Sequence, residues 1–179
     1  LLGLLAGLFV ASPAYALDLE FKDCSQSDQA EIETAVKWLK ANVGKIDQKM
    51  GKNDLMDWPG SSRKNWLEKL DKKLKFVCKN AKNKCQRVSK SNTVLYGQVV
   101  PVFKQKTIQL CTNHFSQGQA DYVSTIAHEV GHLVRLNAHR TNCKKACEKP
   151  RFSQSVGLAA EYAYKGGHYN ASDCKKHCK

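Results

Sequence analysis

Apolar positions recur at helical spacing through two stretches of the chain and alternate with polar ones in a shorter stretch between them. Ile32, Ala35, Val36, Leu39, Val43 and Ile46 fall on one face of a 3.6-residue repeat. Ser27-Asp28-x-x-Glu31 in front of them offers a capping side chain and a carboxylate suited to the positive end of a helix dipole, so one amphipathic helix is predicted over 28–49. Residues 51–60, with Asn53, Asp54, Pro59 and two glycines, read as a loop. A second helix is predicted from Ser62 to about Lys79, with Trp66, Leu67, Leu70, Leu74 and Val77 on its apolar face. Met56, Trp58 and Trp66 are expected in the core, the usual place for aromatics so spaced.

From Cys85 the texture becomes β-branched and alternating. Strands are predicted at Arg87–Ser89, Thr93–Tyr96, Val99–Phe103 and Thr107–Leu110, forming a small, mostly antiparallel sheet; the extended piece Leu17–Phe21 precedes the first helix. Ser116-Gln117-Gly118 breaks the chain, and a helix is predicted over 119–137 with a broad apolar face: Tyr122, Val123, Ile126, Ala127, Val130, Leu133 and Val134. Another helix is expected over 153–164, then Gly166-Gly167 and a cysteine-bearing tail. The fold class is therefore α+β, mainly helical, and a single domain over 17–179 accommodates it.

Residues 1–16, LLGLLAGLFVASPAYA, are apolar, uncharged and end in Ala14-Tyr15-Ala16. Small residues at those two alanines after an apolar run are what signal peptidase requires, so cleavage is expected after Ala16. The run has no initiating Met or basic start, so the leader is expected to begin upstream of Leu1. It is too short to span a bilayer and holds Pro13. A secreted or periplasmic protein without a membrane span is expected; a monomer is the expectation for its assembly, although nothing in the sequence fixes it.

Eight cysteines are an even set suited to four disulfides in an exported chain. Cys143 and Cys147, like Cys174 and Cys178, are four residues apart, so two facing helices could be stapled through Cys143–Cys178 and Cys147–Cys174. A zinc site built from those four thiolates is the alternative reading, although zinc sites more often use C-x2-C. The formal net charge of +13 favours anionic surfaces or substrates at long range. Lysines cluster at Lys72-Lys73, Lys79 to Lys84, Lys144-Lys145 and Lys175-Lys176 without any nucleic-acid motif, so no specific nucleic-acid partner is expected.

The chemistry lies in His128-Glu129-Val130-Gly131-His132, an H-E-x-x-H sequence. On a helix the two histidines share a face one turn apart and can grip one Zn²⁺, with Glu129 beside them as general base and acid rather than ligand. The strand Thr107–Leu110, read as an edge strand, offers a backbone to which an extended substrate can pair. Three residues remain open as third ligand. Glu161 lies among small neighbours that allow a close helix approach, Glu148 sits beside Cys147, and His139 follows His132 at a spacing that does not match H-E-x-x-H-x-x-G-x-x-H. Tyr162 and Tyr164 are candidate donors to an oxyanion, a position where tyrosine more often packs.

Several segments resemble the deuterolysin, or aspzincin, family of zinc metalloendopeptidases. They are Phe21-Lys22-Asp23-Cys24-Ser25 before a long helix, Thr107-Ile108-Gln109-Leu110-Cys111 followed by Ser124-Thr125-Ile126-Ala127-His128-Glu129, then Gln154-Ser155 and Asn170-Ala171-Ser172-Asp173. The resemblance implies a zincin-like, mainly helical domain with its sheet above the active-site helix. It also implies His128 and His132 as zinc ligands, Glu129 as catalytic acid/base, and disulfides Cys24–Cys78 and Cys85–Cys111. One departure stands out: the family's third ligand is an Asp in G-T-x-D-x-x-Y-G, and this chain has no Asp between His132 and Asp173. The expectation is a secreted endopeptidase with one zinc per chain acting on protein or peptide. The alternatives are a noncatalytic protein of the same fold that binds anionic surfaces through lysines, and a zinc amidase using the same metal chemistry.

Overall fold

A computed structural model describes residues 17–52, 54–79, 97–102, 105–134 and 143–176. Strand β1, Leu19–Lys22, leads into helix α1, Gln26–Ala41. The cap of α1 is Ser25 rather than Ser27. Its hydroxyl accepts from the Asp28 N–H at 3.0 Å, and Asp28 accepts from the Ser25 N–H in return. Ile32, Ala35, Val36 and Leu39 are buried, as their spacing predicts.

The predicted helix 28–49 is two. At Asn42 the backbone leaves helical geometry (φ −117°, ψ 21°), and the Asn42 side-chain amide donates to the Trp38 carbonyl. A polar side chain that competes for helical carbonyls ends the helix there. The short helix α2, Val43–Asp47, then carries Ile46 into the core. After the expected loop, α3 spans Ser62–Asp71 and buries Trp66 and Leu70. Met56 is 43% exposed, against the expected core position.

The second half of the predicted helix 62–79 is strand β2, Leu74–Cys78. Leu70, Leu74 and Val77 fit a helical stripe, but Phe76, Val77 and Cys78 are all buried as well, which requires cover on both faces. Pairing in a sheet interior supplies that cover and overrides the local pattern. Strands β3, Gly97–Val102, and β4, Gln105–Leu110, follow.

The four strands run in the order β1-β2-β4-β3. β1 pairs with β2 and β2 with β4 in parallel; only β3 and β4 are antiparallel. The sheet is therefore mostly parallel, not mostly antiparallel. The helices between β1 and β2 bring the chain back in its original direction, which a hairpin cannot do. β4 lies inside the sheet, so Thr107–Leu110 is not an edge; among the described residues the edge on that side is β3. The strands expected at 87–96 and the leader lie outside the described residues.

Helix α4, Gln119–Val134, occupies the centre and is buried on most of its circumference. It packs on α1, α3, β3 and β4 and along the length of α6, Phe152–Lys165. Asp121 accepts from the Ser116 and Gln117 N–H groups, both at 2.7 Å, and so organises the turn that starts α4. Helix α6 ends at Gly166, whose φ of 79° suits glycine at a helix end. Two short helices, α5, Cys143–Glu148, and α7, Ala171–Lys176, pack together and are joined by Cys147–Cys174. Cys24–Cys78 ties the start of α1 to the end of β2. Cys111 is also disulfide-bonded. The expected partners Cys85 and Cys178 lie outside the described residues. Disulfides of this kind fit an oxidising compartment, and among the described residues no helix is long and apolar enough to cross a membrane.

Candidate metal centre

His128, Glu129 and His132 lie in the third and fourth turns of α4, where the core dictates the helix. Ile126, Ala127 and Val130 are fully buried, and the buried Trp66 indole donates to the Ala127 carbonyl at 3.2 Å. That hydrogen bond anchors the turn that begins the motif. Trp66 in turn touches Trp58, whose ring meets Phe152 at the start of α6.

The two imidazoles meet through their Nε2 atoms, 3.1 Å apart. Two ring nitrogens sharing one tetrahedral zinc, each at about 2.05 Å, would lie about 3.3 Å apart, so the separation suits a common ion. Donor chemistry agrees, since neutral imidazole nitrogens are ordinary zinc ligands. Glu129 is 2% exposed, with Oε1 4.0 Å from His128 Nε2. The Ser153 hydroxyl on α6 contacts the other nitrogen of His132, Nδ1, at 3.2 Å. These residues fit zinc as two ligands, a flanking carboxylate and one outer hydrogen bond.

Two close backbone approaches shape the surroundings. A Cβ on Gly97, at the start of β3, would lie 2.7 Å from the Thr125 methyl and 3.1 Å from Glu129 Oε1. A Cβ on Gly157 of α6 would lie 3.0 Å from His128 Cβ and 3.1 Å from the Ser124 carbonyl oxygen. Both positions need glycine for contact distance rather than for backbone freedom. Neither they nor Ser153 were singled out from the sequence. In retrospect the run Ser153-x-x-x-Gly157, with the same four-residue step as the two histidines, was the available signal.

The candidate third ligands stand elsewhere. Glu161 binds Lys165 at 2.6 Å, and Lys165 also reaches Gln117 at the start of α4. Glu148 pairs with Lys175 at 2.8 Å, an ion pair that holds its carboxyl below the ordinary range. Among the described residues no third His, Cys, Asp or Glu joins His128 and His132 in a group that could hold a metal. His139 lies outside the described residues. Tyr162 stacks edge-on to Tyr169, with burial raising its phenol, and Tyr164 packs edge-on against Trp38 while remaining 39% exposed. Both have packing roles.

No family model, curated protein or solved structure matches the chain.

Proposed function

We propose that the protein is a secreted zinc-dependent endopeptidase of zincin type, related to the aspzincins, with one zinc per chain. The observation that carries this reading is the pair of Nε2 atoms 3.1 Å apart with the buried Glu129 beside them. A carboxylate at the centre of an apolar helix is unfavourable there, and such burial is tolerated where chemistry needs it. His128 and His132 would hold the ion through Nε2. When bound, zinc would polarise the scissile carbonyl and acidify a water molecule.

Glu129 supplies the proton transfers. Its carboxylate takes a proton from the attacking water as the new C–O bond forms. It delivers that proton to the amine nitrogen as the C–N bond breaks. Strand β3, the edge among the described residues, starts against Glu129 Oε1, so an extended substrate added along β3 would pass close to that carboxylate. A zinc amidase would use the same residues.

The test is elemental analysis of untagged, disulfide-intact protein together with hydrolysis of an unstructured protein substrate. Wild type should hold about one zinc, and His128→Ala should lose it. Glu129→Gln should keep the zinc while hydrolysis falls by about 10²–10⁴-fold, the range of general acid–base catalysis. Full activity in Glu129→Gln would sink the mechanism. A protein that takes up no zinc even in excess would instead favour the noncatalytic, lysine-mediated reading. Pairing of Glu161 and Glu148 with lysines leans towards that second reading. If zinc is present, its loss in one of Glu161→Ala, Glu148→Ala and His139→Ala identifies the third ligand, and its retention in a variant excludes that residue.

A further inference from the structure

Helices α4 and α6 run antiparallel, with Ser153 lying against Gly131 and Gly157 against His128. Ser153 is 2% exposed, and its Oγ lies 3.2 Å from His132 Nδ1. The space for it comes from Gly131, where a Cβ would lie 3.0 Å from Ser153 Cα. Around a shared ion both Nε2 atoms, 3.1 Å apart, would present lone pairs; without an ion one carries the hydrogen and the other accepts it. A serine hydroxyl can accept from Nδ1–H or donate to bare Nδ1, and these alternatives leave His132 Nε2 in opposite states. Only the first leaves a lone pair on His132 Nε2.

We propose that Ser153 is a positioning residue for His132: its Oγ accepts the Nδ1–H hydrogen bond, fixing the ring plane and the tautomer that turns a bare Nε2 towards His128. The inference rests on the zinc-site reading for its purpose, but the tautomer it assigns exists with or without metal. Ser153 touches neither substrate nor ion. It acts through His132, as outer hydrogen-bond partners of ligating histidines do. Burial makes the contact effective, because few competing waters reach the hydroxyl.

The experiment uses the disulfide-intact chain with ¹⁵N-labelled histidine. Long-range ¹H–¹⁵N correlation spectra of metal-free protein report the tautomer of His132, and competition with a chelator reports zinc affinity. Wild type should show His132 protonated on Nδ1. Ser153→Ala should lose that preference and bind zinc about 10–100-fold more weakly. Ser155→Ala is the control for loss of a buried hydroxyl from the same helix. Ser155 is fully buried and its Oγ accepts from the Met56 N–H, away from His132. That variant should leave tautomer and affinity unchanged per folded molecule.

Wild-type His132 protonated on Nε2, or a Ser153→Ala protein with unchanged tautomer, would overturn the inference. If wild type binds no zinc but shows the Nδ1–H tautomer and loses it in Ser153→Ala, the positioning role stands and the zinc reading falls. If Ser153→Ala fails to fold, Ser153→Thr keeps the hydroxyl and should retain the wild-type tautomer; loss of that tautomer in folded Ser153→Thr would also overturn it.

Discussion

Gly157 shows how little room the motif leaves around it. A methyl group there would meet His128 Cβ at 3.0 Å and a backbone oxygen at 3.1 Å, neither of which can swing aside as a flexible side chain would. Alanine normally favours a helix over glycine by about 1 kcal/mol. Overpacking a tight contact is unfavourable by about 1–3 kcal/mol, so the clash should win. Gly157→Ala is expected to lose about 1 kcal/mol net in urea unfolding and, on the proposed zinc reading, to weaken zinc binding, because His128 must shift. A more stable Gly157→Ala protein would show that α6 can retreat from α4 freely.

Among the elements, α1 and α4 are joined by a hydrogen bond from the Tyr122 phenol to Asp28, 2.7 Å long. Burial works against ionisation of Asp28, but hydrogen bonds from Tyr122 and Ser25 outweigh it and hold the carboxyl below its ordinary range. With the folded pKa below the unfolded value of about 3.9, this stabilisation is complete above that value. It is lost as pH falls through the folded pKa. Tyr122→Phe should destabilise by about 1–2 kcal/mol at pH 7. It should also flatten the acid limb of stability against pH, as should Asp28→Asn; acid limbs matching wild type would remove this pair from the account. The cap at Ser25 was nearly visible in the sequence, two residues from where the Ser-Asp-x-x-Glu pattern put it. Helices α4 and α6 were legible because each carries an uninterrupted apolar stripe. β2 was not, since Leu70, Leu74 and Val77 satisfy a helical repeat equally well. The sheet's order was illegible for another reason: β1 and β2 are brought together by three intervening helices, and no local pattern encodes such a pairing. The H-E-x-x-H residues could be read directly because one helix carries all three. A third ligand would come from another element, and spacing along one element says nothing about it.

For the whole molecule, covalent closure supplements a core that runs from Ile32 to Tyr169. Cys24–Cys78 spans 54 residues and Cys147–Cys174 spans 27. Chain-entropy arguments assign such loops about 4 and about 3.5 kcal/mol, with measured effects often smaller. Replacing Cys147 and Cys174 by serine should therefore lower unfolding stability by roughly 2–4 kcal/mol, read as a shift in the urea midpoint. An unchanged midpoint would mean that the remaining contacts hold α5 and α7 without the bond. The shorter ring has a further property, because all of α6 lies inside it. Any contact that seats α6 in its native place also raises the effective concentration of the two sulfurs for each other. Oxidation and the seating of Ser153 against His132 are thus coupled in both directions, and the chain assembles the wall that α6 sets against His128 and His132 most completely where thiols are free to oxidise.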